Sequence, residues 1–382
     1  MKVALLHDYL NQLGGGERVL ETLMEIFPEA PIYTLLHDPA RTLNRFHGRV
    51  RKTSFLDFAL ARKYHRWFIP YMPLAAGNLK LDAGYDLIIS DTAGYAKGFN
   101  IQPRTKHQKQ KSSKFNVQGF KLPIHISYIH TPLRYAWEPS YINSKFKNQK
   151  SKLRNFILKP LLSALRKWDY KTAQKPDIVI ANSQFIADKI KKYYNREAKV
   201  IYPPVETNRF YFNPIPYTPN PKPYYLAVGR LMHYKRFDLI IEAFANLGLP
   251  LKIVGSGPEE KKIKNQISNI KNIELLNNID DNGLRKLYNN AEALIFPQVE
   301  DFGLVAAEAQ ACGLPVIAYA AGGALEIIED KKTGIFFQEQ TSDAIVAAVK
   351  EFEKHNFNRA EIAEKAKRFS QERFKKEFLG LI

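Results

Sequence analysis

Pro297-Gln298-Val299-Glu300-Asp301-Phe302-Gly303-Leu304-Val305-Ala306-Ala307-Glu308-Ala309-Gln310-Ala311-Cys312-Gly313-Leu314-Pro315-Val316-Ile317-Ala318 decides how this chain of 382 residues is read. The apolar run before it, Ala291 to Phe296, has the pattern of a buried strand. Small residues then predict a helix from about Gly303 to Cys312, which Gly313-Leu314-Pro315 stops before a strand from Val316 to Ala318. Glu300 therefore falls on a loop at the carboxyl end of a strand, where open α/β sheets bind ligands. The amides of Phe302, Gly303 and Leu304 lie at a helix N-terminus, which attracts anions. An acid precedes them and a second, Glu308, follows in the helix. That pairing points to a ligand with hydroxyls as well as phosphates. The plainer alternative is that Glu300 and Asp301 cap the helix and Glu308 is solvated.

Outward from this stretch the chain alternates strand and helix. Lys2 to His7 reads as a strand, followed by a glycine loop (Gly14, Gly15, Gly16) and a helix to about Ile26. The spacing is not the dinucleotide fingerprint. Further strands are expected at Ile32–Leu35, Leu87–Ser90, His125–Ile129, Ile178–Ala181 and Val200–Tyr202, with helices at Ser151–Ala173 and Ser183–Tyr194. Tyr224 to Val228 repeats the opening, and strands follow at Leu251–Val254, Ile273–Leu276, Ala293–Phe296, Val316–Ala318 and Ile335–Phe337. The fold class is α/β, with two Rossmann-like, doubly wound domains whose carboxyl edges face a central cleft. The expected boundaries are residues 1–205, a proline-rich linker at 206–223, a second domain at 224–368, and a final amphipathic helix at 369–382, which in chains of this two-domain fold usually crosses back to the first domain.

Gly229-Arg230-Leu231-Met232-His233-Tyr234-Lys235 is the second strong feature. Arg230 leaves a strand at its carboxyl end and Lys235 stands near the next helix start. Two cations beside helix N-termini form a clamp suited to a diphosphate. Asp280-Asp281 are adjacent, read as a helix start, and no Asp-x-Asp metal motif occurs.

The net charge is +19. Between Lys97 and Lys175 there are eighteen Lys and Arg against two acids, Glu138 and Asp169. Such a field attracts phosphates, anionic lipid or nucleic acid. Phe99, Phe115, Phe120, Phe146, Phe156, Trp168 and Tyr170 are interleaved with it, and Pro103 to Gly119 has the composition of an exposed loop. The single cysteine, Cys312, excludes an intrachain disulfide. Val3 to Leu6 is too short for a signal-peptide core, and no run of eighteen apolar residues occurs, so the expected location is the cytoplasm.

In order, the glycine loop, the cation pair after Gly229, Val254-Gly255-Ser256-Gly257-Pro258, and Glu300 with Glu308 resemble the family-four (group 1) retaining glycosyltransferases of the GT-B fold. Tyr128 to Glu138 and Ile201-Tyr202-Pro203-Pro204-Val205 resemble the branch containing bacterial polysaccharide α-mannosyltransferases. The resemblance implies that Arg230 and Lys235 hold a donor diphosphate, that Glu300 binds the sugar and that Glu308 binds the ribose. Gly15, Gly16, Gly229, Phe302, Gly303 and Leu304 would let backbone meet phosphate, Gly255 would line the base, and His130 would lie near the sugar. It implies no cofactor and no metal, with GDP-mannose favoured over a UDP-sugar as donor. The expected acceptor is a saccharide or polyprenyl-linked saccharide, at a peripheral seat on the anionic inner face of the plasma membrane. The alternatives are a UDP-glucose-type retaining transferase and, outside enzymes, a basic nucleic-acid-binding protein, for which no recognition motif is present.

Overall fold

The computed structural model describes residues 1–101, 123–138, 152–214 and 223–382. The basic loop expected at Pro103–Gly119 lies outside them, as do Phe115, Phe120, Lys145, Phe146, Lys147, Lys150 and residues 215–222 of the proline-rich stretch. The chain divides into two compact units, Met1–Tyr202 with Lys375–Ile382, and Pro203–Phe374.

The first unit holds a parallel sheet of β1 (Val3–Leu10), β2 (Ile32–His37), β3 (Val50–Thr53), β4 (Leu87–Thr92), β5 (Ile124–Ile129), β6 (Ile178–Ala181) and β7 (Lys199–Val200). Its order is β3-β2-β1-β4-β5-β6-β7. The central strands are buried along almost their whole length, because both faces of a parallel sheet are covered. Leu6, Tyr33, Leu35, Ile88 and Phe99 pack in one core cluster; Ile129, Val179, Ile186 and Ile190 form another. The helix Gln184–Tyr194 starts where the Ser183 hydroxyl accepts the Ile186 amide and stops at Asn195 in the left-handed region. From the final helix, Gln371–Leu379, the part from Lys375 onward belongs to this unit. There Lys375 meets Glu25 at 2.7 Å and Phe378 packs edge-on against Phe27.

The second unit repeats the topology with β8 (Tyr225–Val228), β9 (Leu251–Val254), β10 (Ile273–Leu276), β11 (Leu294–Phe296), β12 (Val316–Tyr319) and β13 (Gly334–Phe337), ordered β10-β9-β8-β11-β12-β13. In each sheet the strand order reverses beside its first strand, between β1 and β4 and between β8 and β11. Those are the switch points where α/β sheets bind ligands. The chain enters this unit at Pro203, ahead of the linker expected at 206–223. Phe210 is fully buried against Tyr288, and Arg209 meets Asp281 at 2.6 Å. Asp280 caps the helix Asp281–Asn290, accepting the Gly283 amide.

Part of the basic run turns inward. Lys97 is fully buried, bound to Asp169 at 2.6 Å and to the Gly94 carbonyl. Asp169 also accepts from the Trp137 indole and the Tyr194 hydroxyl. Phe99 belongs to the core and Trp168 packs against it. These three therefore drop out of the charged field expected to attract an anionic partner: Lys97 has an internal counter-charge, and both aromatic rings bury apolar area.

Candidate functional site

In the second unit the site is built from backbone loops brought unusually close. Gly229 follows β8 with φ 151°. Its amide donates to the Val254 carbonyl, and the Leu231 amide donates to Ser256. A Cβ on Gly255 would lie 2.0 Å from the Gly229 oxygen, and one on Gly257 would lie 2.6 Å from the Leu231 oxygen. The two glycines of Val254–Pro258 therefore serve loop-on-loop packing, whatever else they contact. A similar close approach fixes the acidic loop. The Gly323 amide donates to the Glu300 carbonyl, and Cβ atoms on Gly322 and Gly323 would fall 2.5 Å from the Glu300 oxygen and 2.0 Å from the Phe302 oxygen. The Gln340 amide holds the Pro297 carbonyl at 2.7 Å.

These contacts bring Lys235, in the short 3-10 turn His233–Lys235, to Glu300, and the two side chains form an ion pair. Both are only partly exposed, at 11% and 22%. Arg230 is exposed at the end of the same strand. The helix that follows Glu300 spans Leu304–Ala311, with Gly303 before it in the left-handed region at φ 109°. The first ladder bonds run from the Ala306 and Ala307 amides to the Gly303 carbonyl, so the amides of Gly303, Leu304 and Val305 stand ahead of the ladder at the helix N-terminus. Phe302 is buried, with its ring edge-on against Phe369. Glu308 is buried at 3% exposure, which overturns the solvated alternative for it. Cys312 ends that helix, buried, its thiol pushed up by burial and by the Glu308 charge.

The first unit gathers a denser polar cluster. Parallel register sets His7 of β1 beside Asp91 of β4. His7 Nδ1 donates to Asp91 Oδ2 at 2.8 Å, and His130, one residue past β5, donates from Nε2 to Asp91 Oδ1 at 2.6 Å. Glu17, in the helix Gly15–Ile26, lies 3.8 Å from His7 Nε2. Gly16 leaves the room: a Cβ there would sit 3.4 Å from His130 Nε2 and 3.6 Å from His7 Cε1. Gly15 opens the helix. Asp8 accepts from Thr92 and from the amides of Ala93, Tyr95 and Ala96, tying β1 to the turn after β4.

Burial alone would neutralise both histidines. The hydrogen bonds and charges of Asp91 and Glu17 outweigh it at His7, raising it to about 10. Asp91 likewise raises His130, although burial and the neighbouring His7 charge oppose the shift. Burial works against ionised Asp91, but the two histidines hold its carboxyl below the usual range. Asp91 accepts a hydrogen bond from His130 Nε2–H, which leaves Nδ1 as the ring's remaining hydrogen-bonding atom. Sequence reasoning found His130, Gly15 and Gly16 but not His7, Glu17 and Asp91. The available signal was a polar pair at a strand end, His7-Asp8 and Asp91-Thr92, inside otherwise apolar strands.

Residues 213–369, most of the second unit, match the family Glycosyl transferases group 1. An uncharacterized glycosyltransferase of Methanocaldococcus jannaschii is 28% identical over 218 residues, covering 56% of this chain and 60% of that protein. The GDP-mannose-dependent alpha-(1-6)-phosphatidylinositol monomannoside mannosyltransferase of Mycolicibacterium smegmatis is 28% identical over 198 residues, 45% of this chain and 52% of the relative. The chain thus spans little more than half the length of these curated relatives. Among solved structures, Anabaena HepE in complex with UDP superposes with a TM-score of 0.66 at 18% identity, over 100% of this chain and 99% of the other. The fold class is therefore GT-B, with two Rossmann-like α/β domains.

Proposed function

We propose that this protein is a retaining hexosyltransferase that uses a nucleoside-diphosphate sugar. The observation that carries the reading is the Lys235–Glu300 pair at the carboxyl ends of β8 and β11, within the stretch matching Glycosyl transferases group 1. Arg230 and Lys235 hold the diphosphate, with the amides of Gly303 and Leu304 and the open backbone at Gly229. Glu300 binds sugar hydroxyls and keeps Lys235 in place before the donor arrives. Glu308 binds the ribose and Gly255 borders the base. Gly15 and Gly16 let the first unit's backbone approach phosphate, and His130, oriented by Asp91, donates to the sugar.

In a front-face displacement the acceptor oxygen bonds to the anomeric carbon as the bond to the diphosphate oxygen breaks. The acceptor proton passes to the departing phosphate. The protein stabilises the developing negative charge with fixed cations and amides and holds both substrates together. On this reading Arg230 and Lys235 do the work of a divalent metal, and no cofactor enters. The similarity to a GDP-mannose-dependent enzyme favours GDP-mannose, and that to a UDP-bound structure supports a UDP-sugar as the second reading. The acceptor is a saccharide carried on a polyprenyl lipid, met at the cytoplasmic face of an anionic membrane, in cell-surface polysaccharide synthesis; nucleic acid is not a partner. No described helix is long and apolar enough to cross a membrane, so the seat is peripheral.

Thermal stabilisation and slow donor hydrolysis across a panel of GDP-, UDP- and ADP-sugars, with and without EDTA, test this. The expected result is the largest response to GDP-mannose, unaffected by EDTA. A preference for a UDP-sugar selects the second reading. Response to none of them, together with steeply salt-dependent nucleic-acid binding, overturns both.

A further inference from the structure

We propose that the outward face of residues 55–74 is the surface by which this protein lies on an anionic lipid bilayer. This rests on the lipid-linked acceptor proposed above, but the test below does not use turnover. The segment follows the carboxyl end of β3 as short helical pieces, Ala59–Lys63, His65–Tyr71 and Met72–Asn78. Its inner face is core: Leu56, Ala61 and Met72 are buried. Its outer face is apolar too. Phe55, Leu60, Tyr71 and Leu74 are more than half exposed and Trp67 is 72% exposed. Tyr64 stacks on Trp67 with centroids 4.9 Å apart, and Lys63 lies 5.2 Å from the Tyr64 ring.

The mounting is firm. The Asn11 side chain donates to the Arg62 carbonyl at 3.2 Å and reaches His65 Nδ1 at 3.1 Å, and His65 packs on Tyr9. The patch is thus fixed beside the carboxyl end of β1, the edge that carries the histidine cluster.

Its chemistry selects the occupant. Leu60, Leu74 and Phe55 have no polar group to offer a free saccharide, whereas Trp and Tyr with flanking cations suit the headgroup level of a bilayer. Asp57, the one acid between 55 and 74, is tied to Arg62 at 2.7 Å, and Lys63 and Arg66 are exposed. The sign of the patch is therefore positive, which attracts anionic lipid. A two-fold contact with a second copy would set Lys63 and Arg66 against themselves on a chain of net charge +19.

Co-sedimentation with phosphatidylcholine vesicles, with and without phosphatidylglycerol, tests the assignment, with intrinsic fluorescence quenching by brominated lipid. Partitioning should rise with the anionic fraction, and quenching should be lost in Trp67→Ser. The combined Leu60→Ser, Trp67→Ser and Leu74→Ser variant should bind at least about tenfold more weakly. Lys63→Gln with Arg66→Gln should lose part of the anionic-lipid dependence. Donor-induced thermal stabilisation should be unchanged in both variants, which separates failure here from failure of the transferase reading. Vesicle binding unaltered in the apolar variant would place the contact elsewhere and overturn the proposal. So would absence of vesicle binding, or a dimer that dissociates in that variant.

Discussion

The two switch points of this molecule solve opposite problems. In the first unit, His7 and His130 share the Asp91 carboxylate, Glu17 lies against His7, and Asp8 is satisfied by Thr92 and backbone amides. In the second, the glycines at 229, 255, 257, 322 and 323 draw the backbone together around one ion pair, Lys235 with Glu300. The first arrangement is electrostatically committed before any ligand arrives. The second carries a single ion pair, with exposed Arg230 near it at the end of β8. Buried, satisfied networks rigidify; the diphosphate role proposed for the second falls to Arg230, Lys235 and the helix N-terminus.

The largest expected effect lies in the second unit. Arg230→Ala and Lys235→Ala should each slow donor hydrolysis by about 3–4 kcal/mol in barrier, roughly a hundredfold to a thousandfold, without loss of fold. Normal rates in either would remove the clamp from the comparison. Next, Asp91→Asn should cost about 1.5–3 kcal/mol, the worth of a hydrogen bond to a charged group. It should also move the loss of His130 protonation to lower pH, because Asp91 is what raises that histidine. A pH–rate profile superimposable on the wild type would make Asp91 purely structural.

A smaller effect should split the glutamates. Glu308→Gln should weaken free nucleoside diphosphate by about tenfold, while Glu300→Gln should leave it bound and lose sugar transfer. Calorimetry that finds both equally weakened would assign them a common structural role. The smallest effect is on stability. His7 is raised in the folded chain to about 10 from an ordinary 6.5. Its stabilisation is therefore complete below about pH 6.5 and fades as pH rises through about 10. The melting temperature should fall across that window, and His7→Gln should flatten this part of the profile. An unchanged slope would mean that the histidine cluster is less committed than its geometry.

The same contrast explains what could be read from sequence. The second unit's candidate site was legible because Gly229 to Lys235 and Glu300 to Glu308 each occupy one continuous stretch following a clear strand. In the first unit, His7 and Asp91 are 84 residues apart and meet only through strand register, which no local pattern announces. Lys97 looked like surface charge because its partner Asp169 is 72 residues away. β3, with the sequence Val-Arg-Lys-Thr, was missed because an edge strand with two exposed charges lacks a buried-strand pattern. The helical pieces between Ala59 and Asn78 were missed as well. Pro70 and Pro73 interrupt the 3.6-residue period, and apolar residues fall on both faces. The strands that were found share one property: they are short apolar runs bounded by turn residues.

Cys312 has a practical consequence. The chain's one thiol is enclosed behind the Leu304–Ala311 helix and strongly disfavours its thiolate. Thiolate is the species that maleimides and disulfide reagents attack. The native protein is therefore already a silent background for labelling. A single cysteine introduced on an exposed site, Lys63 or Lys262 for example, would carry a fluorophore or spin label at that position without first removing Cys312.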